Sequence, residues 1–153
     1  MRIRRAALVA ATVVALLTGC AAAPAVDQEA AQSWLRDSEK SIDGRTDLLG
    51  TTSGMTSRSS DDGITLSFDD PVTVSAFEVA CFGGGSAEFG YSLSGDGVGI
   101  GVQSEVECTE VPAMIDVGVD GATEVADVSS VVTRMTSPDS DTTFTVAVVG
   151  TTP

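Results

Sequence analysis

From Ile64 onward, apolar residues recur at every second position in short runs, and residues typical of turns separate the runs. A period of two indicates β-strands with one buried face, because successive side chains of a strand point to opposite faces of the sheet. Several short strands with frequent turns are typical of an antiparallel sandwich. We therefore predict a mainly β fold, an antiparallel β-sandwich or jelly-roll-like domain of about seven strands over residues 64–149, preceded by one N-terminal helix.

The predicted strands place one set of apolar side chains on their inward faces, and weaker strand patterns lie near residues 124–128 and 131–135. Phe89 and Tyr91 share the inward face of one run, so we interpret them as core residues rather than as a platform for stacking a sugar. The inward set is Ile64, Leu66, Phe68, Val72, Val74, Phe77, Val79, Cys81, Ala87, Phe89, Tyr91, Leu93, Val98, Ile100, Val102, Val106, Cys108, Val111, Ala113, Ile115, Val117, Val119, Phe144, Val146 and Val148.

Three interruptions of the alternation carry structural information. The segment Asp69-Asp70-Pro71 is rich in turn-forming residues and predicts a turn. The apolar parity changes near Ala76-Phe77, which predicts a β-bulge there. The triplet Gly83-Gly84-Gly85 predicts a flexible turn between strands. A phosphate-binding loop would need a helix directly behind the glycines and usually a lysine within them, and the sequence has neither at this point.

A helical pattern precedes the predicted strands. Asp27 favours the N-cap position, apolar residues follow at spacings of three and four, and Gly44 stands where a helix commonly ends. We therefore predict an amphipathic helix over residues 27–43. The only tryptophan, Trp34, lies on its apolar face. We expect Trp34 to pack against the domain, or alternatively to contact a partner protein or the membrane headgroups.

Residues 44–63 lack periodicity and are rich in glycine, serine and threonine. Such composition is typical of flexible linkers, so we predict a loop or linker between the helix and the β domain. The density of hydroxyl side chains also makes the segment a candidate for O-glycosylation, which would appear as hexose-spaced masses on the tryptic peptide 46–58.

The N-terminus has the pattern of a secretory signal. Arg2, Arg4 and Arg5 precede an uninterrupted run of small and aliphatic residues over 6–17. The run is shorter than the roughly 20 residues that a membrane-spanning helix needs, and its length suits a signal-peptide core. The run ends in Leu17-Thr18-Gly19-Cys20.

This Leu17–Cys20 tetrad resembles the lipobox of bacterial envelope lipoproteins, and the low content of His, Asn and Lys is similar to that of actinobacterial proteins. The resemblance implies that residues 1–19 are removed, that Cys20 carries diacylglycerol, and that residues 20–26 form a leash at the outer face of the cell membrane. Two acyl chains suffice for stable anchoring. The alternative is an ordinary secretory signal cleaved near residues 21–23.

Charge narrows the classes of partner. The chain from Cys20 onward contains all 22 acidic residues and five basic ones, a formal charge of −17. This charge excludes nucleic acid as an expected partner, because such binding depends on Lys and Arg that neutralise phosphates. It also opposes adsorption to anionic lipid, so membrane attachment would rest on the acyl chains.

Cys81 and Cys108 are the two thiols that remain once Cys20 is acylated, and both lie on the inward face of a predicted strand. Outside the cytoplasm such a pair is expected to oxidise. We therefore predict a structural disulfide. The β domain with its paired-cysteine segments 79–85 and 106–108 loosely resembles small envelope lipoproteins, a likeness that implies no catalytic residues.

Candidate catalytic and metal sites are weak. The chain has no histidine, which removes the usual general base and the commonest metal ligand. It also lacks a Gly-x-Ser-x-Gly or Ser-x-x-Lys pattern that would activate a nucleophile. The acidic pairs 61–62, 69–70 and 139–141 could hold Ca²⁺ at strand ends, but they lack the Asp-x-Asp-x-Asp-Gly pattern, and we interpret them as solvated turn residues.

Together these observations predict a protein that is not an enzyme and has no cofactor or resident metal. We expect a membrane-anchored extracytoplasmic lipoprotein that acts as a binding or interaction module at the cell envelope. Its partners would be the lipid bilayer, through Cys20, and an envelope protein, with Trp34 as a candidate contact. The alternative is a carrier or sensor of a small apolar or lipid-like ligand held between the sheets.

Overall fold

The computed structural model describes residues 27–56, 63–96, 98–109, 111–118, 121–137 and 141–153. Its elements confirm the predicted fold class: one helix is followed by seven strands that pair antiparallel. In chain order they are α1 (Gln28–Ile42), β1 (Leu48–Thr56), β2 (Ile64–Phe82), β3 (Ser86–Gly95), β4 (Val98–Glu107), β5 (Ala113–Asp116), β6 (Val125–Thr136) and β7 (Thr142–Thr151).

The seven strands form one continuous hydrogen-bonded sheet, which curls so that β1 faces β6 across the interior and two layers result. The strand order is β1-β7-β2-β6-β3-β4, and β5 pairs with β2 beside this path. The long strand β2 joins the layers: its first half pairs with β6, and its second half, from Thr73 to Phe82, pairs with β7 and β5. Side chains of the two layers meet between them, as in the contact of Thr52 on β1 with Thr133 on β6.

The interior is filled by the alternating apolar side chains. Phe77 on β2 contacts Phe89 and Tyr91 on β3, with ring centroids 5.5 and 4.5 Å apart. This aromatic cluster confirms Phe89 and Tyr91 as core residues, and valines of β2, β6 and β7 surround it. The valines that are fully buried are Val74, Val79, Val117, Val128, Val131, Val146 and Val148.

The predicted linker 44–63 was wrong over part of its length, because β1 lies within it and forms the strand beside β7. The glycines that suggest flexibility are close-packing positions. A side chain at Gly50 would come within 3.2 Å of Leu66, and one at Gly54 within 3.3 Å of Phe144. Glycine thus lets a threonine-rich strand lie close to the core, and no local pattern announces this.

Irregularities inside the strands replace two predicted breaks. The predicted turn at Asp69-Asp70-Pro71 is wrong, since these residues lie within β2, where the register with β6 shifts between Ser67 and Val72. The weak patterns near 124–128 and 131–135 join into the single strand β6. By contrast, the predicted β-bulge is confirmed, because the register of β2 with β7 shifts between Val74 and Ala76.

Helix α1 packs against β7 and confirms the predicted N-terminal helix. The Asp27 side chain accepts hydrogen bonds from the backbone N–H groups of Glu29 and Ala30, at 3.0 and 3.2 Å, which satisfies two donors that a helix start leaves free. The helix ends at Ile42, and Gly44 follows with φ of 79°. Both faces of β7 are buried, because one faces the helix and the other faces the core.

Candidate interaction surface

The direction of α1 along the sheet determines at which end of the domain the helix N-terminus lies. Trp34 contacts Phe82, which lies opposite Thr143, and farther along the helix Glu39 accepts a hydrogen bond from Ser53, which lies opposite Thr145. The helix therefore runs along β7 in the same direction as the strand. Its N-terminus lies toward the end of the domain where β2 finishes and the disulfide is located.

Cys20 itself lies outside the described residues. The described helix cap, Asp27, follows Cys20 by seven residues. A fully extended chain spans about 3.3–3.6 Å per residue, so an anchor at Cys20 would hold Asp27 within roughly 25 Å of its attachment point. In the described residues, no helix is long and apolar enough to cross a membrane.

Trp34 packs against the domain, which is the first of the alternatives stated for it. Its ring lies 5.9 Å from that of Phe82 at an interplanar angle of 31°, and the residue is half-buried. The contact fixes the helix on the sheet. Contact of the exposed part of Trp34 with a partner stays a prediction.

The predicted disulfide is confirmed. Cys81 and Cys108 are bonded, their Cα atoms are 4.7 Å apart, and both residues are buried. The bond links the end of β2 to the residue after β4, and the Cys108 N–H donates a 2.9 Å hydrogen bond to the carbonyl of Gly85. Gly83, Gly84 and Gly85 all have positive φ, the conformation that only glycine adopts easily, which explains the triplet as a strand connection.

An ion cluster that the sequence analysis did not identify ties the α1–β1 connection to β2. The Arg45 guanidinium donates two hydrogen bonds to Asp47, at 3.0 and 2.8 Å, and a third to Glu78. These bonds hold the pKa of the Asp47 carboxyl below its ordinary value and raise the pKa of Arg45. Glu78 is separated from Arg45 by 33 positions in the sequence, so only the folded chain reveals the cluster.

Two buried hydroxyls on the face of β7 beneath α1 lack partners in the described part of the chain. They belong to Thr143 and Thr145, which are 2% and 4% exposed. Thr52 and Thr133 form the contrasting case between the layers, with hydroxyls 3.0 Å apart in a hydrogen bond. Burial of an unpaired hydroxyl costs about 1–3 kcal/mol, so the docking of α1 is less favourable than its apolar contacts alone suggest.

A shallow groove of about 260 Å³ lies on the outer face of the β4-β3-β6 layer. Its floor is formed by Gly90 and Gly101, and its walls include Gln103 and Arg134. Gly90 pairs with Gln103 on one side and Arg134 on the other, so the row crosses three strands. Arg134 is the only basic residue of residues 63–153. No sequence motif marked this groove, because it depends on pairing between three strands.

The acidic pairs considered for Ca²⁺ are not brought together in the described residues. Asp69 and Asp70 are exposed on β2, while residues 61–62 and 139 lie outside the described part. Within the described residues, no group of three or more His, Cys, Asp or Glu side chains is arranged to hold a metal ion.

Comparisons with known proteins do not place this chain in a family: no protein-family model, no curated protein and no solved structure matches it.

Proposed function

We propose that the chain is a lipid-anchored extracytoplasmic lipoprotein whose folded domain is a non-catalytic binding module at the outer face of the cell membrane. One observation carries the proposal. The tetrad Leu17-Thr18-Gly19-Cys20 closes an apolar run, and Asp27, the helix cap of the described domain, follows seven residues after the cysteine. A lipobox in this position leaves just enough chain to connect an acylated Cys20 to the helix cap.

The buried disulfide supports a location outside the cytoplasm. Disulfides persist in oxidising compartments and are rare where cellular thiols keep cysteines reduced. The fold places Cys81 and Cys108 in contact within its core, so the bond is a structural one. A chain that is exported through a signal peptide would acquire it after export.

The charge of the chain supports attachment through acyl chains. A formal charge of −17 from Cys20 onward repels anionic lipid, while two acyl chains provide stable anchoring independently of charge. The module would therefore remain at the membrane surface and meet its partners there.

A ligand held between the layers receives no support from the packing. Phe77, Phe89 and Val146 meet in the interior at 0% exposure. An apolar ligand at this point of the interior would have to displace these side chains. We therefore favour a binding module that uses its surface over a carrier that uses its interior.

The anchor is tested by replacing Cys20 with serine in the full chain expressed in its host. We expect the parent to partition into the detergent phase and Cys20→Ser to move to the aqueous phase, because the substitution removes the thioether. Intact mass should place the parent's mature N-terminus at Cys20 with diacylglycerol attached.

Ala23→Ser is the matched control, since it makes a similar change three residues later and should partition like the parent. Retention of Cys20→Ser in the detergent phase would refute the proposed anchor. A parent N-terminus near residues 21–23, without lipid mass, would instead establish ordinary secretion.

A further inference from the structure

Three strands of the described chain have an edge without a hydrogen-bonded neighbour: β1, β4 and β5. Strand β1 has nine residues, and its register with β7 shifts between Leu48 and Gly50, an irregularity that disfavours pairing with another chain. Strand β5 has four residues and follows Pro112. Strand β4 is the long edge, with ten residues paired only with β3.

Apart from the exposed charges of Glu105 and Glu107, the β4 edge has few of the devices that usually protect a strand edge. Natural edges carry lysines, prolines, bulges or inward charges that prevent pairing with another chain. The sequence of β4 contains no Lys, Arg or Pro, and its ten pairs with β3 run from Val98 to Glu107 without a register shift. Its backbone is therefore regular and open to a further strand.

The inward face beside this edge is apolar and incompletely covered. Ile100 and Val102 of β4, with Ala113 and Ile115 of β5, contact the core while remaining partly exposed. A strand added beside β4 would cover Ile100 and Val102 with its own inward residues.

Charge identifies the chemistry of the added strand. Glu105 and Glu107 are exposed on β4, and Glu88 is exposed on the neighbouring strand β3. A second copy of this chain would bring another formal charge of −17, and that repulsion opposes self-pairing. A segment with basic outward side chains would complement the acidic face instead.

We infer that the β4 edge binds an extended segment of a partner protein as an additional strand, with apolar residues facing inward alternating with Lys or Arg facing outward. This rests on the proposed function, for which it specifies the binding surface and the chemistry of the partner. Backbone hydrogen bonds along β4 provide the affinity, and the alternation provides the specificity.

The test uses the full mature chain in mild detergent and a capped peptide in which Val and Lys alternate over ten positions. Titration followed by amide NMR should shift the resonances of β4 selectively. Ile100→Lys places a charge on the inward face and should weaken binding about tenfold or more. Gly101→Lys, on the exposed face, should weaken it by repulsion while leaving the core unchanged.

Thr65→Lys, an exposed position of β2, is the matched control and should bind like the parent. A peptide with N-methyl groups along one edge should not bind, because it lacks the backbone N–H donors that would pair with the carbonyls of β4. The inference would be overturned if both β4 variants bound the peptide as tightly as the parent does. Resonance shifts confined to strands other than β4 would overturn it as well. Concentration-dependent dimers that Gly101→Lys abolishes would overturn it in favour of self-pairing.

The assay is separate from the anchoring question. Peptide binding is measured on the solubilised chain, so Cys20→Ser should leave it unchanged whether or not Cys20 is acylated in the cell. Loss of detergent partitioning alone would concern the anchor, and loss of peptide binding alone would concern the β4 edge.

Discussion

At the scale of single residues, the threonines of this fold fall into two energetic groups. Thr52 and Thr133 satisfy each other across the layers, whereas the hydroxyls of Thr143 and Thr145 are buried under α1 without a partner in the described residues. Removal of an unpaired buried hydroxyl relieves a desolvation cost. Removal of one hydroxyl of a buried pair leaves the other without a partner and so creates such a cost. Identical Thr→Val changes should therefore have opposite effects.

We expect Thr145→Val to raise the free energy of unfolding by up to about 1 kcal/mol and Thr133→Val to lower it by about 1–3 kcal/mol. Urea unfolding followed by far-ultraviolet circular dichroism measures both. The two variants serve as controls for each other, since the chemical change is the same. Equal destabilisation by both would mean that the Thr145 hydroxyl has a partner in solution.

The disulfide constrains the chain over a sequence separation of 27 residues. On the chain-entropy account a loop of this size contributes about 3–4 kcal/mol. The double variant Cys81→Ala/Cys108→Ala should lower the free energy of unfolding by that amount and should melt identically with and without reductant. Unchanged melting of the parent after confirmed reduction would contradict a stabilising role.

The Arg45 cluster predicts a dependence of stability on pH. Arg45 lowers the pKa of Asp47 in the folded state, so the folded protein binds fewer protons there than the unfolded chain. The contribution is therefore present above the unfolded pKa of about 3.9 and is lost as pH falls through the lower folded pKa. Asp47→Asn should be less stable than the parent at pH 7, with the difference shrinking near pH 3.

Urea midpoints of the parent and Asp47→Asn across this range provide the measurement. Asp37→Asn is the control, because its pair with Lys40 is exposed at 78% and 74% and such pairs contribute little. A difference between parent and Asp47→Asn that stays constant with pH would show that the effect is not ionic.

At the scale of elements, the attachment of α1 depends on few contacts. Ala31 and Ile42 are its buried residues, and Trp34 adds the ring contact with Phe82. Strand β1 illustrates the opposite situation, since it has no apolar alternation and becomes a strand through pairing with β7. Helices and strands at the margin of this fold are thus specified by their neighbours as much as by their own sequences.

Trp34→Ala should lower the free energy of unfolding by about 1–2 kcal/mol, because a half-buried aromatic side chain is lost. Trp34→Phe retains a ring against Phe82, so its free energy of unfolding should fall much less. Arg36→Ala changes an exposed neighbour and should alter the free energy of unfolding little. Chemical unfolding followed by circular dichroism reports all three. An equal loss for the alanine and phenylalanine variants at Trp34 would exclude the ring contact as the cause.

At the scale of the whole molecule, the surplus of acidic residues opposes the compact state through mutual repulsion. Salt shortens the screening length from about 30 Å at 0.01 M to about 3 Å at 1 M. The melting temperature of the mature chain should therefore rise with sodium chloride. A variant with Asp69→Asn, Asp70→Asn and Glu124→Gln, all exposed positions, should melt higher at low salt and respond less to salt. If the melting temperatures of the parent and the triple variant rose equally with salt, a charge effect would be contradicted.

Much of the fold followed from local pattern. The period-two alternation predicted most of the strands and most residues that face the core, and the spacing around Asp27 predicted α1. Val111 was wrongly placed on the inward face: it precedes β5 and is 74% exposed, because the strand begins only at Ala113. Cys81 and Cys108 were identified because both fall on inward positions. The ion cluster of Arg45 could not be predicted, since it joins residues whose proximity depends on β2 lying beside the α1–β1 connection.

The sequence alone determined which face of most strands is buried, because alternation along a strand is a local property that any sheet must satisfy. The tertiary structure decided how the strands are arranged: that Gly50 and Gly54 belong to a strand, that β2 continues through Asp69-Asp70-Pro71 into the second layer, and that β4 is left as a long edge. Those outcomes depend on which distant segments pair, and pairing is a property of the whole chain.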